Sequence, residues 1–345
     1  YSWKKDLTFI FHMIELEPKI KGSRLITSLA TSSPSRDNNI QFVGSGKAAL
    51  GLIMQHLKSK EILTSKMNTI YVPPWMGTWV YASFLPYAYP VLEPTDDTKI
   101  VWCYHQYGFP QNMDRIQDIA DSRNLSVIED CAHACDSKYK DKIIGTFGDY
   151  SLYSFSKFAF CLALGGVFSK DDNFSSFVEQ KIVSSSNLLR FIINTTRFLD
   201  NTSGNTLSNL RYIWREMNYA VYYHQPIPSQ WGIKLWLQTK EYEKKARRKN
   251  YLLLKNQTMR WGLCNHLEET NIAPYAVPLL IPSNKRDAVV QELLTNNIWA
   301  GVRNFDIARC LFEPNYQEIV LVPIHSGMNA THMEKMLDSL KIILG

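Results

Sequence analysis

Residues 127–166 read VIEDCAHACDSKYKDKIIGTFGDYSLYSFSKFAFCLALGG, and their pattern decides the fold. A short apolar run ends in Glu129-Asp130, a Ser-rich apolar run carries Lys157, and Gly165-Gly166 close the stretch. Apolar runs of this length bounded by turn residues read as buried strands of a sheet. A carboxylate at the end of such a strand is costly unless a cation meets it. Lys157 stands 27 residues after Asp130, on what reads as a second strand, flanked by apolar and aromatic residues.

Outward from this stretch, strand-like runs alternate with helical patterns from about residue 40 to 170, the rhythm of βαβ units and a mostly parallel sheet. Strands are expected at 69–72, 90–92, 99–104, 126–128, 149–155 and 167–169, with helices at 48–57, 79–85 and 112–123. Residues 171–235 become polar, aromatic and turn-rich. A long helix is expected over 231–255, then strands at 275–281 and 319–323 and helices at 285–296 and 330–344. The expected division is a large α/β domain, residues 1–235 with an N-terminal segment 1–40, and a smaller C-terminal α+β domain, residues 236–345, entered by the long helix.

With 345 residues, 45% of them hydrophobic, the chain can bury a sizeable core in a large and a smaller domain. Its net charge of +6 comes from interspersed charges and calls for no nucleic-acid partner. The basic run at 244–249 has Glu241/Lys245 and Glu243/Arg247 at i,i+4 spacing, which reads as a solvated helix face rather than an anion site. Six scattered cysteines read as buried, reduced thiols of a cytoplasmic protein, and Cys131 and Cys135 have no matching pair for a zinc site, so no metal is expected. No run approaches the ~20 apolar residues that span a bilayer, so no membrane association is expected. The Asn-x-Ser/Thr matches at Asn194, Asn201 and Asn329 then read as chance.

A strand-end carboxylate and a lysine that follows on a neighbouring strand are the two protein groups a pyridoxal 5′-phosphate (PLP) enzyme requires. Lys157 would form the Schiff base and Asp130 would pair with the pyridinium nitrogen, so the residues read as a PLP site. A lysine reaching solvent from a strand end is the alternative for Lys157. Gly46 and Lys47 open a helix where backbone N–H groups and the dipole suit a phosphate, though a plain glycine turn would look the same. Ser154 is a further phosphate ligand. Trp75, then Trp79, are the rings placed to stack on the pyridine, with a buried core tryptophan as the alternative for each. His133 would contact the cofactor's phenolic oxygen or orient Asp130, unless it serves as a cap or in the core.

Taken together, 104–110 (YHQYGFP) with Met113-Asp114, the 127–134 run, Gly145 to Asp149, Lys157 and Gly165-Gly166 resemble the DegT/StrS family of PLP-dependent sugar aminotransferases. Asn218-Tyr219 resembles the family's Asn-Tyr-Arg segment, and 322–328 (VPIHSGM) its turn before the last helix. The resemblance covers roughly residues 40–345 and implies an aspartate-aminotransferase-like, type I fold. That fold has a mixed, mostly parallel seven-stranded sheet between helices plus a smaller α+β domain. It also implies a homodimer sharing its active sites, with Gly46, Lys47 and Ala48 on the phosphate, Asp130 on the pyridinium, His133 on the ring oxygen, Lys157 as the reacting amine, and Asn218 reaching the partner subunit's phosphate. The implied activity moves an amino group from an amino acid, glutamate by analogy, to a keto-deoxy-sugar linked to a nucleotide.

Lys47 stands where the family has Thr, Ala163-Leu164 where it has Gly-Asp, and Ala220 where it has Arg. Ser154 lies two residues closer to Lys157 than usual, but counting back from Gly165-Gly166 places Lys157 at the expected position. The alternatives are a PLP-dependent sugar dehydratase, against which the presence of a lysine speaks, and an inactive PLP-fold sensor dimer.

Overall fold

The computed structural model describes residues 13–18, 40–202, 223–267 and 272–345. Seven strands form one sheet: β1 (Gln41–Val43), β2 (Thr69–Tyr71), β3 (Tyr89–Val91), β4 (Thr98–Tyr104), β5 (Ser126–Cys131), β8 (Tyr150–Tyr153) and β9 (Gly165–Ser169). Their order is β1-β9-β8-β5-β4-β2-β3. All neighbouring pairs from β8 to β3 are parallel, whereas β9 is antiparallel to both β8 and β1. Six strands therefore share one direction, and their carboxyl ends open on a common edge, where open α/β sheets bind ligands.

Side chains alternate across this sheet as the pleat requires. Ile100, Trp102, Ile128 and Leu152 pack with α1 (Gly46–Ser59), α2 (Thr78–Phe84) and α4 (Asp172–Val183) on one face. Val101, Cys103 and Val127 face α3 (Met113–Arg123) on the other, in a core that continues into the C-terminal elements. Those elements are β10 (Ala276–Leu279), α7 (Arg286–Thr295), β11 (Gly301–Asp306), β12 (Tyr316–Pro323) and α8 (Ala330–Leu344). The three strands form a separate antiparallel sheet in the order β10-β12-β11. Along the chain between the two sheets come α5 (Asn187–Thr202) and the 28-residue α6 (Gln230–Gln257), the latter capped by the Ser229 hydroxyl accepting from Gly232 N–H. Residue Ile14 bridges Ile298 in parallel, so the described part of the N-terminal segment pairs with the link between α7 and β11.

The α/β rhythm and long helix match the pattern expected from sequence. Three features escaped it: β1, the hairpin β6 (Lys138–Tyr139) with β7 (Lys142–Ile143), and β11. β1 and the hairpin strands are two or three residues long, too short for a periodic signal, and β11 carries polar residues that sit at a sheet rim. Lys157 is also not on a strand. β8 ends at Tyr153, and Phe155–Lys157 form a 3-10 turn beyond it.

Buried histidines couple this fold to pH. The Gly327 N–H donates to His325 Nδ1 at 3.0 Å, so Nε2 carries the proton and donates to the Glu15 carbonyl at 2.7 Å. Burial lowers His325 to about 3 and His266 to about 4, and also lowers His56. Between these values and 6.5 the unfolded chain binds more protons than the folded one, so stability is full above the unfolded value and falls with acid. Urea unfolding at pH 5 should show a lower midpoint than at pH 7, with His325 alone contributing roughly 2 kcal/mol of the loss; an unchanged midpoint would contradict the buried neutral state.

Candidate active site

Asp130 and Glu129 are adjacent at the end of β5, and both are buried. They have opposite surroundings. Glu129 accepts from the amides of Gly145 (2.7 Å), Phe147 (2.7 Å) and Gly148 (2.6 Å) and from His105 Nε2 (3.1 Å). The Gln111 N–H donates to His105 Nδ1 at 3.2 Å, which leaves the His105 proton on Nε2, facing the carboxylate. These bonds outweigh burial and hold Glu129 below the usual carboxylate range. His105, Glu129 and Cys131 lie close enough to hold a metal, but the two Glu129 oxygens already take four donors and both His105 nitrogens are engaged. Glu129, supported by His105, is a clamp that ties β5 to the loop at 144–148.

Asp130 has burial raising its carboxyl, offset in part by the Ala132 amide, 2.9 Å from Oδ1, and by the charge of Lys157. The Lys157 amine lies 2.7 Å from His133 Nε2, and His133 Nδ1 lies 2.6 Å from the Tyr104 hydroxyl. Both His133 nitrogens are thus engaged away from Asp130, which removes the reading of His133 as a direct orienter of that carboxylate. Burial, with Lys157 and Arg247 nearby, drives His133 well below its ordinary value, so the ring stays neutral. It sits among tyrosines: Tyr275 stacks at 4.4 Å and 5°, Tyr107 lies at 5.8 Å, and Tyr104 at 5.5 Å. Tyr107 adopts a left-handed φ of 53° in the turn at 106–108 to present this ring, a backbone state that costs about 1 kcal/mol or more for a bulky residue.

The start of α1 lies beside this group. Ser45 caps the helix by accepting from Ala48 N–H at 3.1 Å, so the Ala48 amide is turned to the cap and those of Gly46 and Lys47 stand ahead of it. A Cβ on Gly46 would come within 2.9 Å of Ser154 Cβ, and one on Gly165 within 2.3 Å of the Ser45 carbonyl carbon. Glycine at 165 is what lets the reversed strand β9 pass against the helix start, bringing Ser154 and Gly46 together. The Lys47 amine lies 5.1 Å over the Trp79 ring, whereas Trp75 is half exposed on the preceding loop. Asn218 lies outside the described residues.

The geometry brings together Asp130, His133 and Lys157, pairs Gly46 with Ser154, and pairs Lys47 with Trp79. Three participants were missed by sequence reasoning: Tyr104, Tyr275 and Arg247. Arg247 was read as part of a solvated basic face, yet it is fully buried and donates to the carbonyls of Phe158 and Tyr275. Its i,i+4 partner Glu243 is buried too, and this spacing alone does not reveal which face of a helix points inward.

Residues 94–182 match the family model of the DegT/DnrJ/EryC1/StrS aminotransferases. The resemblance read from the sequence holds over that stretch, which contains Asp130, His133 and Lys157. GDP-perosamine synthase of Escherichia coli O157:H7 is 57% identical over 61 residues, 18% of this chain and 17% of that protein. The chain spans about a sixth of the length of the curated relatives it matches, as in that 17%. Among solved structures, an aminotransferase from Psychrobacter cryohalolentis aligns over 88% of this chain and 87% of its own, with 18% identity and a TM-score of 0.61. A candidate sugar aminotransferase of Streptococcus pneumoniae in its PLP form aligns over 96% and 98%, with 15% identity and a TM-score of 0.67. The chain shares the fold of these solved aminotransferases.

Glu129→Gln should expose the weight carried by the clamp. The amide keeps one acceptor oxygen and turns an NH2 toward backbone N–H groups, so a stability loss of about 3 kcal/mol is expected in urea titrations. A loss under about 1 kcal/mol would mean that the clamp bears little of the strand's position.

Proposed function

We propose that this chain is a PLP-dependent aminotransferase that moves an amino group from an amino acid, glutamate by family analogy, to a keto-deoxy-sugar linked to a nucleotide. The observation that carries the reading is the Lys157 amine, 2.7 Å from a neutral His133 and within electrostatic reach of the buried Asp130 carboxylate. The GDP-perosamine synthase likeness supports a nucleotide-sugar acceptor.

The donor set fits the cofactor. Asp130, with its carboxyl raised by burial, gains from a cationic ring nitrogen as a partner. The amides of Gly46 and Lys47 at the α1 start, the Ser154 hydroxyl and the Lys47 charge suit the phosphate. Trp75, on the loop before α2, and Trp79, whose ring lies 5.1 Å from the Lys47 amine, are the rings offered for stacking. When bound, PLP supplies an aldehyde for an amine and a ring that takes up electrons from the carbon being deprotonated.

The remaining steps belong to the chain. The Lys157 Nζ would first be the nucleophile that anchors the cofactor and then, released, the base that takes the proton from the donor's α-carbon and delivers it to the carbon that was the cofactor's aldehyde. His133, whose Nε2 meets the Lys157 amine in this structure, would contact the ring oxygen, and its neutral state avoids a second cation beside Lys157. The tyrosines around it exclude water from the proton being moved. By family analogy a second copy of this chain completes the site through Asn218, and the enzyme acts in the cytoplasm.

Adding PLP to the purified protein should produce a visible absorbance band that bleaches with excess glutamate as 2-oxoglutarate appears. Lys157→Ala should lose the band and reduce turnover by about a thousandfold or more. Retention of both band and turnover in that variant would refute the assignment.

A further inference from the structure

Arg247 is fully buried in α6 and its guanidinium grips two chain segments far apart in sequence. Nη1 donates to the carbonyls of Tyr275 at 2.7 Å and Pro274 at 3.3 Å; Nη2 donates to those of Phe158 at 3.0 Å and Lys157 at 3.5 Å. The rings of Phe158 and Tyr275 lie 5.0 and 5.9 Å from its Cζ. Its charge is balanced by Glu243 one turn earlier, 3.9 Å from Nε, and Glu243 is itself held by the Ser326 amide and hydroxyl. A planar fork with donors on two arms is what this geometry needs; a lysine ammonium has no such shape.

We propose that Arg247 is a positioning residue for the Lys157 amine. One arm of the guanidinium fixes the peptide that carries Lys157, and the other fixes the peptide that carries Tyr275. Tyr275 stacks flat on His133, and His133 contacts Lys157 Nζ. A single group thus sets both sides of the Lys157–His133 contact. The inference rests on the reading of Lys157 as the reacting amine, and it adds a residue outside the cofactor contacts. Among the described residues, the charged and titratable groups in this cluster include Asp130 and His133 from β5 and its following turn, Tyr104 and Tyr107 beside His133, Arg247 with Glu243 from α6, and Tyr275 ahead of β10. Glu17 of the N-terminal segment acts on Arg247 and Tyr275.

The test uses the full chain without cofactor. Its amines are labelled with acetic anhydride over a range of pH, and the extent at Lys157 is read by peptide mass spectrometry. Arg247→Lys keeps the charge and removes the fork. Leu57→Ala, in the core on the opposite sheet face, serves as a control for a general loss of stability. In Arg247→Lys the pH midpoint at Lys157 should move by about half a unit or more, roughly a threefold change in reactive amine at fixed pH, with none in Leu57→Ala. A midpoint that stays at its original value in Arg247→Lys, or moves equally in Leu57→Ala, would overturn the proposal and leave Arg247 a stabilising residue only. If Arg247→Lys does not fold, the double variant Glu243→Gln with Arg247→Gln, which leaves the net charge of that pair unchanged and removes the fork, is read by the same criterion. Because no PLP is present, this result is independent of whether the unsubstituted protein takes up PLP, so failure of the functional reading and failure of this inference are separable.

Discussion

Two adjacent carboxylates buried at the end of one strand set the terms for the rest of the structure. Each costs several kcal/mol to remove from water unless it is compensated. Glu129 is compensated internally by three amides and a histidine, and that compensation pins the loop at 144–148 to the sheet. Asp130, one residue on and pointing to the other face, has one backbone amide and the field of Lys157. The first carboxylate is spent on the fold, and this fixes the second at a sheet edge where a cation is the favoured neighbour.

The surrounding elements follow from that edge. Six parallel strands deliver their carboxyl ends to it, the reversed strand β9 passes close enough to the start of α1 that only glycine fits at 165, and the 3-10 turn after β8 carries Lys157 to His133, within electrostatic reach of Asp130. Tyr275, just ahead of β10, stacks on His133. The long helix α6 joins these elements through a buried polar stripe: Glu243 holds Ser326, Arg247 holds Lys157 and Tyr275, and Asn250 holds the carbonyls of Ile324 and Met328.

What the sequence disclosed and what it hid divide along physical lines. Asp130, His133, Lys157 and the start of α1 were legible because each sits in a short motif whose chemistry needs that residue at that place. The α/β alternation was legible because buried strands and amphipathic helices have distinct periods. Arg247 was not, because a buried arginine and a solvated one look alike in a basic run, and only the carbonyls of residues 89 and 28 positions away distinguish them. Nor were Tyr104 and Tyr275, whose shared neighbour is a histidine on a different turn. β11 was hidden because its pattern is set by its partner β12 rather than by a buried face of its own.

The central claim is that the Lys157 amine is the group that takes up PLP at this sheet edge. Its most direct test is to mix the purified chain with PLP, reduce with borohydride, and map the modified peptide by mass spectrometry. The account predicts one reduced pyridoxyl adduct, on Lys157. An adduct confined to another lysine, Lys47 included, or no specific adduct at all, would contradict it.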